Sequence, residues 1–175
     1  MLVLAGCGDE RRDAAAPGGT YTVDVRRATF PSRQHLAQRS ALVISVRNTG
    51  RRAIPDLTVA VRGFTDRSGG PRDAQLGRDL WIIDRGPAGA ATAFEDTWTA
   101  GRLEPDATAT LRWAVTPVVA GTHELSYEIA PAAVGGGRAQ LARGGVARGS
   151  LTVQVTDAPT ATRVDPRSGA VQRRE

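Results

Sequence analysis

Short segments with an apolar residue at every second position recur along the chain, and polar or glycine-bearing stretches separate them. A period of two marks a half-buried β-strand. Tyr21, Val23 and Val25 alternate with polar residues. Leu42, Ile44 and Val46 do the same over 40–48, and Asn48-Thr49-Gly50 supplies turn chemistry behind them. Leu57, Val59 and Val61 define a third strand, with Pro55 just ahead of it where the missing N–H does no harm. A polar loop over 65–79 leads to the apolar run Leu80-Trp81-Ile82-Ile83, and 91–100 reads as one strand with Phe94, Asp96 and Trp98 on one side. Leu111, Trp113 and Val115 share a face, as do His123, Leu125, Tyr127 and Ile129, and then Leu151, Val153 and Val155. The glycine-rich stretch 131–149 reads as loop, and only 139–147 within it is suited to a turn or two of helix. About eight short strands with no amphipathic helix of ordinary length predict an antiparallel β-sandwich over 20–156. Residues 157–175 keep no sustained period and read as a disordered tail.

Two segments carry a family resemblance. RSALVISVRNTGRRAIPDLTVAVRGF resembles the B and C strands of bacterial immunoglobulin-like domains, and LEPDATATLRWAVTPVVAGTHELSYEIA resembles their later half. The likeness is to CARDB and NPCBM-associated extracellular modules and to lipoproteins of actinobacteria, over roughly Tyr21 to Val155. Asp106 stands where those modules often carry glycine, which changes the turn. The resemblance implies a single immunoglobulin-like sandwich of seven or eight strands that binds, spaces or adheres. It does not imply an enzyme, and fold alone does not fix function. Beside it stands a physical expectation: Tyr127, close to a turn-to-strand start, is placed for a tyrosine-corner hydrogen bond, with Leu111 and Trp113 packed opposite.

Composition narrows the classes. The 175 residues are 41% hydrophobic, enough for a real core in one domain. The net charge is +5, and all 23 basic residues are arginine. The charge is spread along the chain with no nucleic-acid motif, so nucleic acid is not an expected partner. One cysteine and two histidines, His35 and His123, leave too few ligands for a zinc site, and no cofactor motif is present.

The cysteine has a local context. Leu4-Ala5-Gly6-Cys7 resembles the lipobox of bacterial lipoproteins, in which the thiol is acylated and becomes the new N-terminus. Residues 1–6 then read as the remnant of a signal peptide and 7–19 as a flexible tether. Two or more acyl chains would hold the chain durably on the extracytoplasmic face of the cell membrane, each buried methylene contributing about 0.8 kcal/mol. A signal peptide needs a basic region and a longer apolar run than residues 1–5 supply, so the reading expects a start upstream of Met1. The competing reading is a cytoplasmic protein whose Cys7 stays a free thiol.

The remaining candidates divide between chemistry and packing. No nucleophile elbow is present, and the sequence reads as a non-enzyme. Its alternative is an accessory subunit or hydrolase built from the loop carboxylates Asp79, Asp84, Glu95 and Asp96. Glu104 and Asp106 flank a turn proline, where acids are common. Asp66, Asp73, Asp79 and Asp84 crowd one region without a calcium-loop motif, and neighbouring arginines balance them. His123 reads as a hydrogen-bonded boundary residue. Trp113 belongs to the core, whereas Trp81 and Trp98 fit either core or partner contact. Arg138, Arg143 and Arg148 stand five apart with no acid between 131 and 149. They read either as a solvated loop or as a contact with an anionic surface. The partner expected is an envelope protein or a cell-wall polymer.

Overall fold

The computed structural model describes residues 18–67 and 77–157, together with the backbone of 162–164 and 171–173. Cys7, Arg72 and Asp73 lie outside the described residues, as does most of the expected tether. The strands are β1 (Gly19–Thr29), β2 (Arg33–His35), β3 (Ser40–Asn48), β4 (Thr58–Arg62), β5 (Thr65–Asp66), β6 (Arg78–Asp79), β7 (Trp81–Arg85), β8 (Ala91–Phe94), β9 (Thr97–Thr99), β10 (Thr108–Pro117), β11 (Gly121–Ala130), β12 (Gly137–Leu141), β13 (Arg148–Thr156), β14 (Thr162–Val164) and β15 (Val171–Arg173). No described helix is long and apolar enough to cross a membrane.

Two sheets form an immunoglobulin-like sandwich. The first runs β12-β1-β3-β10-β7 and the second β2-β13-β11-β4-β9-β8. The alternating apolar sets face one another between them. Val23, Leu42, Ile44, Val46, Leu111, Trp113 and Val115 line the inner side of the first sheet, and Val59, Val61, Leu125, Ile129, Val153 and Val155 that of the second. Burial of these side chains is the main force holding the sheets together, at about 25 cal/mol per Å² of apolar surface. β5 pairs with β6 as a small ribbon beside the sandwich, within the stretch whose composition reads as polar loop. In the C-terminal stretch, the backbone of β14 pairs antiparallel with β15.

Three local differences from the sequence pattern matter. The stretch 91–100 is a hairpin, not one strand: β8 turns into β9 at Glu95-Asp96, and Asp96 takes a φ of 61°. Aspartate tolerates that left-handed conformation better than most residues, so the acidic pair makes the turn. Phe94 and Trp98 therefore part company, the first exposed and the second buried. The glycine-rich stretch holds a strand, not a helical turn or a bare loop. β12 pairs in parallel with β1, Gly19 opposite Gly137 and Val23 opposite Leu141. A second parallel pairing, β2 with β13, closes one edge of the other sheet. The sandwich is thus antiparallel in its centre and parallel at two margins.

The apolar run before Arg85 is an edge strand. Trp81 is 1% exposed, yet Ile82 and Ile83 are 44% and 37% exposed. β7 meets β10 through a bulge, with Val115 opposite Ile83 and Ala114 opposite Arg85. Asp84 is the extra residue there. It accepts hydrogen bonds from Thr116 Oγ1 at 2.8 Å and Arg39 Nε at 3.1 Å. A bulge and a held charge are devices that blunt an edge against adding another strand.

Candidate functional site

Four arginines gather in a cleft at the flank of the sandwich, lined by residues of β1, β11 and β13. The local backbone explains the concentration. Register slips between Val25 and Arg27 on β1, leaving Arg26 as the extra residue of a bulge. A bulge re-aims side chains, and here it sets Arg26 and Arg27 together on one wall. β12 then ends at Leu141 and doubles back through Gly144 and Gly145, at φ 91° and 90°. Gly144 N donates to Leu141 O at 2.8 Å and Leu141 N to Gly145 O at 3.0 Å. Only glycine adopts two such residues in succession without strain. This tight reversal carries Arg143, and Arg148 follows at the start of β13.

The cleft has a volume of about 490 Å³, with Tyr127 in its lining. Four arginines (Arg26, Arg27, Arg143 and Arg148) line it against one carboxylate, Asp24. Asp24 pairs with Arg26 at 3.1 Å, and Arg27 Nε donates to Thr29 Oγ1 at 3.0 Å. Arg143 and Arg148 are exposed, and their guanidinium groups have no hydrogen-bond or ion-pair partner among the described residues. A second cavity of about 420 Å³ adjoins the first, sharing Tyr127 and Arg148 and adding Arg62, Glu128 and Ser150. Arg62 Nη1 stands 4.0 Å from Glu128.

Tyr127 makes no corner hydrogen bond. It is half-buried opposite Gly149 of β13, and its hydroxyl has no partner among the described residues. A Cβ on Gly149 would stand 2.6 Å from that hydroxyl oxygen, so the glycine is what admits the ring. Burial pushes the phenol above its usual range, which keeps it protonated and able to donate. Guanidinium forks and a phenol O–H facing one cavity make a donor set for an anion with several acceptor oxygens.

The other sequence candidates fall elsewhere. Arg138 is exposed on β12 opposite Thr20, away from the cleft walls. Trp81 and Trp98 are core residues, at 1% and 5% exposure, so neither offers a face to a partner. The Trp81 indole donates to Gln34 Oε1 at 2.9 Å and stacks edge-on with His123 at 5.2 Å, and Phe30 lies 5.7 Å away. Trp98 sits edge-on to Trp113 at 5.2 Å. His123 is a boundary residue, its Nε2 3.0 Å from Val119 O.

Three of the loop carboxylates, Asp79, Glu95 and Asp96, lie close enough to act on one another, and Asp84 is held apart from them by Thr116 and Arg39. Asp84 lies on the edge of the first sheet, where the Thr116 hydroxyl and Arg39 together outweigh partial burial and hold its carboxyl below the usual range. Glu95 and Asp96 occupy the β8–β9 turn of the second sheet. Arg67 bonds Glu95 and stands 3.5 Å from Asp96. Burial raises the Asp96 carboxyl, against the pull of Arg67. Asp79 accepts from Thr65 Oγ1 at 3.0 Å. None of these acids lines either cavity described above. Among the described residues no group of three or more metal-ligating side chains gathers.

Arg26, Arg27 and Arg62 escape sequence reading. The pair Arg26-Arg27 carries no signal of its own, and only the bulge and the parallel β1–β12 pairing bring it to Arg143. The adjacency of like charges is the one trace the sequence holds.

Solved structures share the fold. Native α2-macroglobulin from Escherichia coli, from domain MG7 to its C-terminus, matches with a TM-score of 0.51 and 18% identity over 86% of this chain. That match spans 21% of the macroglobulin chain. A CARDB domain from Pyrococcus furiosus, solved in complex with di-metal ions, matches at 15% identity and a TM-score of 0.47. It covers 78% of this chain and 87% of that one. No family model and no curated protein matches the sequence. At these identities the likeness is one of fold: an immunoglobulin-like β-sandwich.

Proposed function

We propose that this chain is a non-catalytic binding or scaffold module, held to the extracytoplasmic face of a membrane by lipid on Cys7, and that it engages an anionic component of the envelope. The observation that carries the reading is the pair Arg143 and Arg148, unpaired in a cleft with Arg26, Arg27 and a free phenol. Unpaired guanidinium groups grouped in a concave site are complementary to anions, and their field also speeds encounter. The immunoglobulin-like architecture supports a binding role by analogy only.

Two experiments test the two halves. Metabolic labelling with an alkyne fatty acid, in a host expressing the gene with its leader, should mark the protein and place it in the membrane fraction. Cys7→Ser should lose both, and membrane retention by the serine variant would remove the anchor. Crosslinking in intact cells from a photoreactive residue at Val146, beside Arg143, should recover one envelope component repeatedly. Recovery of only abundant neighbours, unchanged in Arg143→Ala/Arg148→Ala, would leave a spacer.

The alternative hydrolase has one observation in its favour, the raised carboxyl of Asp96 beside Glu95. Arg67 spans both carboxylates, which favours a structural turn.

A further inference from the structure

We infer that the two cavities flanking Arg148 form one continuous site for a linear polyanion, a flexible chain carrying repeated phosphate groups. This rests on the reading of the chain as a binding module and names the chemistry of its ligand.

Continuity is the first argument. Both cavities are lined by Tyr127 and Arg148, so an occupant of one touches the wall of the other. Size is the second. Volumes of about 490 and 420 Å³ each fall in the range that holds a small organic ligand, and a lone phosphate fills neither. Spacing is the third. Arg148 lies opposite Glu128 on β11, and Arg62 of β4 lies opposite Ser126 on the far side of the same strand. Two strand separations and a stagger of two residues along β11 put the backbones of Arg62 and Arg148 about 12 Å apart. Arg143 and Arg27 extend the same series of cations into the larger of the two cavities. A series of cations along a bent channel suits a series of anions on one flexible chain.

Donor geometry favours phosphate. The donors come from β1, the 142–147 reversal, β11 and β13, and so line the two cavities from several sides. A tetrahedral phosphate presents oxygens on several sides, whereas a carboxylate presents two in a plane. The acids present do not oppose this, because Asp24 and Glu128 each face an arginine of their own, Arg26 and Arg62. Arg27, Arg143 and Arg148 remain for the ligand outright, and Arg62, 4.0 Å from Glu128 with both side chains exposed, is free to turn to it.

Two other anionic partners fit less well. Single-stranded nucleic acid needs exposed aromatic platforms for its bases. The only aromatic ring in the site is Tyr127, half-buried beside Gly149. A bilayer presents a plane. The first cavity is lined by strands of both sheets, whereas the second is lined by β4, β11 and β13 of one sheet alone. A flexible chain turns that corner and a plane does not.

The test titrates the full chain with inorganic phosphate and with linear polyphosphate of graded length, by calorimetry at 50 and 200 mM salt. Affinity per chain should rise at least tenfold from the single phosphate to a chain long enough to span both cavities. Arg143→Ala/Arg148→Ala should lower the long-chain affinity at least tenfold and flatten the slope of log K on log salt by about 1.4, two contacts at roughly 0.7 each. Arg62→Ala should weaken long chains and leave short ones unchanged. Arg138→Ala, which removes an equal charge outside the cleft, should change neither. All three variants alter exposed side chains, and circular dichroism checks the fold of each. Equal binding at every length, an Arg138→Ala loss equal to that of Arg143→Ala/Arg148→Ala, or tighter binding to single-stranded DNA or anionic vesicles would each overturn the inference. If polyphosphate fails while the cellular crosslink at Val146 persists, this inference falls and the binding-module reading stands. If both fail, both fall.

Discussion

Gln34 is the polar residue on which the β7 end of the core depends, and replacing it by leucine tests that dependence. The side chain is 3% exposed, on β2 of the second sheet. Its Oε1 accepts from Trp81 Nε1 at 2.9 Å and from Ser40 Oγ at 3.1 Å, both on the first sheet, and its Nε2 donates to Pro31 O at 3.0 Å. One amide therefore joins the two sheets and satisfies the buried indole. Leucine has a similar size and fills the space, so the cavity contribution is small. Ser40 is half-buried and Pro31 exposed, so both regain water. The Trp81 N–H does not, and an orphaned buried donor costs about 1–3 kcal/mol. Adding the weaker loss at Ser40 and subtracting the gain from a more apolar side chain leaves about 2 kcal/mol net. With a urea slope near 2 kcal/mol per molar, the midpoint should fall by about 1 M. Trp81→Phe removes the donor by the other route. In the double variant the two losses should be less than additive by about 1–2 kcal/mol. Urea unfolding followed by far-UV circular dichroism measures all four proteins without relying on tryptophan emission. A Gln34→Leu midpoint within 0.3 M of the parent (about 0.6 kcal/mol at that slope), or strict additivity with Trp81→Phe, would refute the account.

Other substitutions probe other parts. Asn48 is fully buried and donates to Arg52 O and Leu103 O while accepting from Gly50 N, so Asn48→Ala should cost about 2–4 kcal/mol in the same unfolding assay. Gly149→Ala should cost about 1–3 kcal/mol by overpacking against Tyr127, and should also weaken anion binding by moving the phenol. Acid unfolding separates two aspartates. Asp84 has a lowered carboxyl in the folded state, so its contribution is present above 3.8 and lost as pH falls through the folded value; the advantage of the parent over Asp84→Asn should shrink on acidification. Asp96 is raised, so its ionisation opposes folding, and Asp96→Asn should gain on the parent as pH rises from 3.8 through the folded value. A pH-independent difference for either variant would contradict the corresponding assignment.

The central strands are legible because their alternation is strong. Leu42-Ile44-Val46, Leu111-Trp113-Val115 and Val59-Val61 each face inward as the period of two predicts. The margins are not legible, for physical reasons. β2 is three residues long, too short to show a period, and Gln34 resembles any surface glutamine until its burial is known. The β8–β9 turn uses Glu95-Asp96, not the asparagine-glycine pair that usually signals a hairpin, so its two short strands read as one. β12 contains Gly137 and Ala139, whose small side chains leave no amphipathic trace. The site is half legible. Arg143 and Arg148 stand out by spacing and lack of acids, but their meeting with Arg26 and Arg27 depends on a parallel pairing across more than a hundred residues. Local pattern carries no information about such a contact.

The parallel pairing of β12 with β1 also decides how the module bears load. β1 lies between β12 and β3, hydrogen-bonded on both sides, and its first residue is where a tether would enter. Tension applied at Gly19 runs along the strand axis. It therefore strains the flanking ladders together in shear, not one rung at a time as in peeling. The cleft residues Arg26 and Arg27 lie further along the same strand, and Arg143 follows directly on β12. An occupant pulling on Arg26, Arg27 and Arg143 and an anchor pulling on the N-terminus would thus act through two adjacent strands of the five-stranded sheet, while Arg148, Tyr127 and Arg62 would pass part of the load to the six-stranded sheet. Such a module would behave as a short stiff link, whose failure under tension is set by an unfolding barrier rather than by equilibrium stability.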